Sequence, residues 1–258
     1  MSILVTIPFY NNNDTIDRTL RSLTSQFYRD FEILIVNDGG EPLESRYLGA
    51  RQIKYFELEQ NHGRYFIDAI AVQANPHAFY LPHDADDTSD LDRLGKLMRR
   101  QKRFDFDAVL HDQYLINRSG QRILEKHKDP ELTPTMRHIA HHSGLYKTQA
   151  LRDIGGYHPD FRVGYDTLLV NLMLMRHRVS ILDNVLYTRY LRENSLTVAP
   201  ETSRNSPLRK RAILKLNELY FKCYNDSANI KQIVEDSIDP KTKEVADIET
   251  ERLKKLWL

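Results

Sequence analysis

Apolar residues along the first hundred positions come in short blocks. "SILVTI" (2–7), "FEILIVND" (31–38), "IKYFELE" (53–59) and "AFYLPHD" (78–84) are continuous apolar runs bounded by polar turns. Runs of this length and composition predict strands buried on both faces. Between them, "NNNDTIDRTLRSLTSQ" sets Ile16, Leu20 and Leu23 at helical spacing behind polar capping residues. "GRYFIDAIAVQA" turns Phe66, Ile67, Ile70 and Ala71 inward in the same way. Strands alternating with amphipathic helices predict an α/β fold with a mostly parallel sheet covered on both sides. Ligands of such sheets sit beyond the carboxyl ends of the strands. Tyr10 and Asn11, Asp38, Asn61, and Asp84 with Asp86 follow the four strands and are the first candidates.

After the fourth strand the pattern changes. "LDRLGKLMRRQ" reads as a helix, and "DAVLHDQYLINRSGQRILEKH" as two strands joined by a turn at "NRSG". "SGLYKT" reads as a short strand, and "QALRDIGG" as a short helix closed by glycines. "GYDTLLVNLMLMRH" is apolar nearly all round, so it predicts a buried helix. "VSILD" and "VLYTRYLR" read as late strands, and "ENSLTVAPETSRNSP" as a loop or lid. From Leu208 onward the spacing is helical. The expected organisation is a catalytic domain over 1–205, with one half at 1–105 and an α+β half at 106–205. A helical extension follows over 206–258.

Composition narrows the function classes. The chain of 258 residues is 41% hydrophobic and 28% charged, as ordinary globular proteins are. Its 37 basic and 36 acidic residues leave a net charge of +1, which gives no general attraction to nucleic acid. The single cysteine, Cys223, excludes an internal disulfide and fits a reducing compartment. "MSILVTIPFY" is too short for a signal peptide or a membrane span, as is "LLVNLMLM" at 168–175. The expected location is the cytoplasm, free or peripheral on the inner face of the membrane.

The candidate chemistry centres on "DADDTSD" at 84–90. The chain holds three Asp-x-Asp pairs, but only Asp84-Ala85-Asp86 ends a buried strand. Two carboxylates at that spacing on a turn can hold a hard divalent cation, magnesium or manganese, and leave its far side open for phosphate oxygens. A plainer reading makes Asp87 or Ser89 the cap of a helix beginning near Asp90. "DADDT" also fits the Asp-x-Asp-x-Thr motif of haloacid dehalogenase-like phosphatases, with Asp84 as nucleophile. That motif usually follows the first strand, whereas here it follows three other strand–helix units.

Four segments in register carry a resemblance. "VTIPFYNNNDTIDRTLRSLTSQFYRDFEILIVNDGG", "EQNHGRYFIDAIAVQA", "YLPHDADD" and "SGLYKTQALRDIGGYHPDFRVGYDTLL" together resemble the family 2 glycosyltransferases of GT-A fold, over about residues 2–192. The resemblance implies an inverting transferase that takes a sugar from a nucleotide diphosphate, UDP-hexose above all, in polysaccharide, glycolipid or glycoconjugate synthesis. It implies a manganese or magnesium ion. Pro8, Tyr10 and Asp38 would bind the base, Asn61 and Arg64 would shape the donor site, and Asp84, Ala85 and Asp86 would meet ribose, metal and diphosphate. Asp166 would be the general base on an acceptor hydroxyl. The alternatives are the phosphatase and a GT-A domain that binds a nucleotide sugar without turnover.

Departures from the family pattern bear on specificity. Tyr165 stands where the family commonly has Glu before the base, so Tyr165 is the acceptor-side candidate there. Asp38 is followed by Gly-Gly rather than Gly-Ser, and Phe9 replaces a usual Ser or Thr. "RHIAHHSG" offers His142 as a further metal ligand and His141 as an acceptor contact. In the extension, Leu208, Ala212, Ile213, Leu216, Leu219 and Tyr220 recur at helical spacing behind Arg209, Lys210, Arg211 and Lys215. Residues 208–224 could pack on the catalytic domain or lie on an anionic membrane face. The apolar end around Trp257 needs a cover, for which a homodimer is one expectation.

Overall fold

The computed structural model describes residues 2–48, 52–128, 130–192, 198–203 and 205–258. Among the described residues, nine strands form one sheet. The strands are β1 (Ile3–Phe9), β2 (Phe31–Asp38), β3 (Ile53–Leu58), β4 (Phe79–Pro82), β5 (Thr88–Ser89), β6 (Ala108–Ile116), β7 (Arg122–Glu125), β8 (Leu145–Lys147) and β9 (Val179–Tyr190). The order is β3-β2-β1-β4-β8-β6-β9-β5, with β7 paired to β6. The first four strands pair parallel, as do β6 and β9. The contacts of β8, β7 and β5 are antiparallel. The sheet is thus parallel among β1–β4 and mixed beyond them.

The two-residue period of the strands feeds two separate cores. On β1, Leu4 joins one apolar cluster, and Ile3, Val5, Ile7 and Phe9 join the other. On β2, Leu34 and Val36 take the first side, and Phe31, Ile33 and Ile35 the second. Helices α1 (Ile16–Thr24) and α3 (Arg93–Phe104) cover the second face through Ile16, Leu20, Leu23, Leu94, Leu97 and Met98. Helices α2 (Arg64–Ala74), α4 (Thr148–Asp153) and α5 (Tyr165–Arg176) cover the first. On α5, Leu168, Leu169, Val170, Leu172 and Met173 are all buried. Each such side chain contributes about 2 kcal/mol by leaving water.

The structure differs from the sequence expectations at three places. Helix α3 begins at Arg93 rather than near Asp90, because β5 intervenes and pairs with β9. Neither Asp87 nor Ser89 caps it. The Asp87 carboxylate accepts the Tyr190 N–H at 2.9 Å, and Ser89 Oγ accepts from Arg93 at 2.9 Å. The two late strands are one strand, β9, whose register against β6 shifts on either side of Asp112. Of the loop or lid at 193–207, residues 193–197 and 204 lie outside the described residues.

The C-terminal region forms α6 (Pro207–Asn225), α7 (Ile230–Asp236) and α8 (Pro240–Lys254). Leu216, Leu219, Tyr220, Cys223, Ile230, Val234 and Leu253 join the same cluster as α2 and α5. The end of the chain covers itself. Trp257 Nε1 donates to Glu32 at 2.9 Å, and Lys54 Nζ donates to the Leu256 carbonyl at 2.8 Å. Trp257 therefore gives no argument for a dimer. Among the described residues, no helix is long and apolar enough to cross a membrane.

Candidate active site

The carboxyl ends of β1, β2 and β4 and the start of α5 open on a cavity of about 820 Å³, ample for a substrate of nucleotide size. Pro8, Tyr10, Asp38, Asn61, Arg64, Asp84, Ala85, Asp86, His141, His142 and Asp166 all line it. Tyr165 does not. It is fully buried, its hydroxyl donates to the Gly156 carbonyl at 3.1 Å, and it packs on Tyr65 and Phe161. The expectation of an acceptor contact at Tyr165 is therefore corrected. The helix turns it into the core, and its neighbour Asp166 takes the cavity side.

The three aspartates after β4 have different partners. Asp84 pairs with Arg64, which also reaches Asp68 on the next turn of α2 at 3.3 Å. Burial is the largest influence and opposes the Asp84 charge, but Arg64, His142, Arg189 and His83 together hold the carboxyl at about 2. Asp86 accepts Arg192 Nε at 2.8 Å, and its carbonyl accepts Arg18 Nε at 3.1 Å. Burial and the Asp84 charge push the Asp86 carboxyl up despite Arg192. Burial, with Asp84 and Asp86 beside it, pushes Asp87 up further. Burial is the first cause of both rises, and Arg64, Arg189 and Arg192 face the three carboxylates. Among the described residues, no three His, Cys, Asp or Glu side chains gather into a closed cation cage. An open pair of cavity-lining carboxylates offers the oxygen ligands a hard cation takes, its shell completed by phosphate and water.

Asp166 lies in the first turn of α5, where backbone N–H groups favour an anion. It is not a side-chain cap. Its Oδ1 accepts the Tyr65 hydroxyl of α2 at 2.8 Å. Burial disfavours its charge, yet His142, the Tyr65 hydroxyl and Arg64 together hold the carboxyl below the usual range. Burial keeps His142 itself down at about 3. At neutral pH the imidazole is uncharged, and Tyr65 and Arg64 carry the effect. His142 Nδ1 lies 3.3 Å from the Tyr157 hydroxyl, and His141 stacks on Tyr187. Burial also holds His141 well below its usual value.

Two candidate residues are tied into the loop after β3. Both Asp38 oxygens accept backbone N–H groups, from His62 at 2.7 Å and Gly63 at 2.8 Å. Arg162 donates to Asn61 Oδ1 at 2.6 Å and to its carbonyl at 2.7 Å. Gly63 adopts φ +88°, and a Cβ there would meet Arg162 Nη1 at 2.7 Å. Glycine lets the loop pass close beneath that arginine.

Sequence reasoning did not single out several residues that build the site. Tyr65 sits in an apolar helical block and reads as core. Arg162, Arg189 and Arg192 line the cavity, but nothing in their local sequence sets them apart from surface arginines. Arg93 lies wholly buried behind the cavity. It donates to His111 Nε2 at 3.2 Å, to Ser89 Oγ at 2.9 Å and to Ser143 Oγ at 3.2 Å. Its guanidinium lies 4.5 Å from the Tyr187 ring centroid. The Tyr187 hydroxyl in turn accepts the Asp84 N–H at 3.1 Å. Burial lowers the Arg93 guanidinium to about 10, still charged at neutral pH.

Residues 4–157 match the family described as Glycosyl transferase family 2. Among solved structures, a fragment of S. aureus TarS, 1–349, in complex with UDP-GlcNAc superposes with a TM-score of 0.65 at 23% identity. That match covers 76% of this chain and 60% of that chain. The same fragment in complex with UDP gives a TM-score of 0.63 at 19% identity, covering 94% and 77%. At these identities the likeness is one of fold, GT-A. Among curated proteins none matches the chain.

Proposed function

The chain belongs to glycosyl transferase family 2, and from that premise we propose that it moves a hexose from a UDP-sugar to a hydroxyl acceptor with inversion. The observation that carries this reading is Asp166. It is a half-buried carboxylate kept ionised by Tyr65 and Arg64, in the cavity that Asp84 and Asp86 also line. A sugar hydroxyl is a poor nucleophile until a positioned base takes its proton. In the proposed step, the acceptor oxygen bonds to the anomeric carbon and its proton passes to an Asp166 oxygen. The bond from that carbon to the diphosphate breaks, and UDP leaves with the electron pair. One displacement inverts the centre.

Pro8, Tyr10 and Asp38 would bind the base, and Asn61 and Arg64 would shape the donor site. Asp86 and Asp84 would hold a manganese or magnesium ion; His142, the further ligand expected from the sequence, does not gather with them among the described residues, and His141 would face the acceptor. Such an ion, when bound, offsets negative charge on the departing diphosphate. The phosphatase reading loses its support, because the segment that carries Asp84 falls within the match to glycosyl transferase family 2.

Calorimetric titration of UDP with and without manganese, on wild type, Asp86→Ala and Asp166→Asn, tests the reading. We expect metal-dependent binding that Asp86→Ala abolishes. Asp166→Asn should keep binding near wild type while transfer falls about a thousandfold or more. Nucleotide binding that fails under every condition would overturn the donor assignment. Loss of both binding and transfer in Asp166→Asn would make that residue structural.

A further inference from the structure

Helix α6 has two faces. Leu216, Leu219, Tyr220 and Cys223 are buried against the fold. On the opposite face, Leu214 is 64% exposed and Phe221 63%. They are seven residues apart, so they lie on one stripe two turns apart. Exposed Lys210, Arg211, Lys215 and Lys222 flank the stripe, against a single acid, Glu218. Among the described residues, none of these four cations forms an ion pair. The same helix begins at the active-site cavity, which Leu208 and Arg209 line. Leu214 is thus about 8 Å along the helix axis from the cavity wall.

We propose that the outer face of α6 docks on an anionic lipid surface, with Leu214 and Phe221 entering the headgroup boundary and Lys210, Arg211, Lys215 and Lys222 meeting lipid phosphates. Exposed apolar anchors flanked by unpaired cations suit that environment. A second copy of the chain suits it less. A two-fold contact on this stripe would bring four like charges against four, around two apolar side chains. Nucleic acid would meet the charges and leave Leu214 and Phe221 in water. The inference does not depend on the transferase reading, since it concerns a face outside the cavity.

The test is cosedimentation of the full chain with vesicles of phosphatidylcholine alone and of phosphatidylcholine with about a third phosphatidylglycerol. Wild type should bind the anionic vesicles at low salt, weaken as salt rises, and ignore the neutral ones. Two double variants, Leu214→Gln with Phe221→Gln and Lys210→Gln with Lys222→Gln, should each weaken binding roughly tenfold or more. Their UDP binding should match wild type, which separates a docking defect from misfolding. The proposal fails if wild type ignores anionic vesicles at low salt, or if both variants bind them as wild type does. It also fails if light scattering shows a dimer that the Leu214/Phe221 variant dissolves.

Discussion

Tyr65 illustrates how one hydroxyl can decide the competence of a base. Its oxygen lies 2.8 Å from Asp166, and burial raises the phenol far above its ordinary value, so it stays a donor. Tyr65→Phe removes that donation and leaves the ring packing intact. The Asp166 carboxyl should then rise toward or above the normal range. If Asp166 is the base, activity requires its ionised form, so the acidic limb of the pH–rate profile should move to higher pH. At neutral pH the carboxyl stays ionised, so kcat and KM should change little there and the loss should show on the acidic limb. An unmoved acidic limb would mean that Arg64, not Tyr65, holds the charge.

At the scale of elements, the question is how α6, α7 and α8 relate to the rest. The sequence suggests a division near residue 205, but the apolar residues of these helices fill the cluster that α2 and α5 also fill. A chain ending at 206 would expose Leu4-side core that Leu216, Tyr220, Val234 and Leu253 now cover. We expect that fragment to be aggregated or molten, with near-ultraviolet circular dichroism lost. A soluble fragment that binds UDP would establish the division. The elements themselves were readable where one local rule suffices. Parallel strands announce themselves as apolar runs, and α1 by its spacing. β5 is two residues long and exists only because β9 pairs with it, so no local pattern could reveal it. Asp84 and Asp86 were legible because they end a strand. Their partners Arg64 and Arg192 come from elsewhere in the chain, and Arg93 is buried by tertiary packing alone. Tyr165 was misread because a motif position gives a residue type, not the side of the helix it faces.

At the scale of the whole molecule, buried imidazoles tie stability to pH. Burial holds His83, His111 and His142 at about 3, and His158 at about 4. Unfolded, each would titrate near 6.5. Between those values the unfolded chain binds more protons than the folded one, so acid favours unfolding. Their contribution is complete above about pH 6.5 and is lost as pH falls toward 4 and 3. We expect the melting temperature to be flat near neutrality and to drop steadily below pH 6, with unfolding well before pH 3. Thermal melts followed by circular dichroism would check this, and a flat melting temperature down to pH 4 would refute it.

The sequence contains one tryptophan, Trp257. Its indole is docked by Glu32 at the start of β2, while Asp38 at the end of that strand borders the cavity. Six residues of strand separate the two, about 20 Å. Any intrinsic indole fluorescence therefore comes from the far end of the sheet. It reports whether the chain's last helix is seated and is little affected by what enters the cavity. The molecule carries its own optical marker for detachment of the C-terminal helices, distinguishable without labelling from events at the active site.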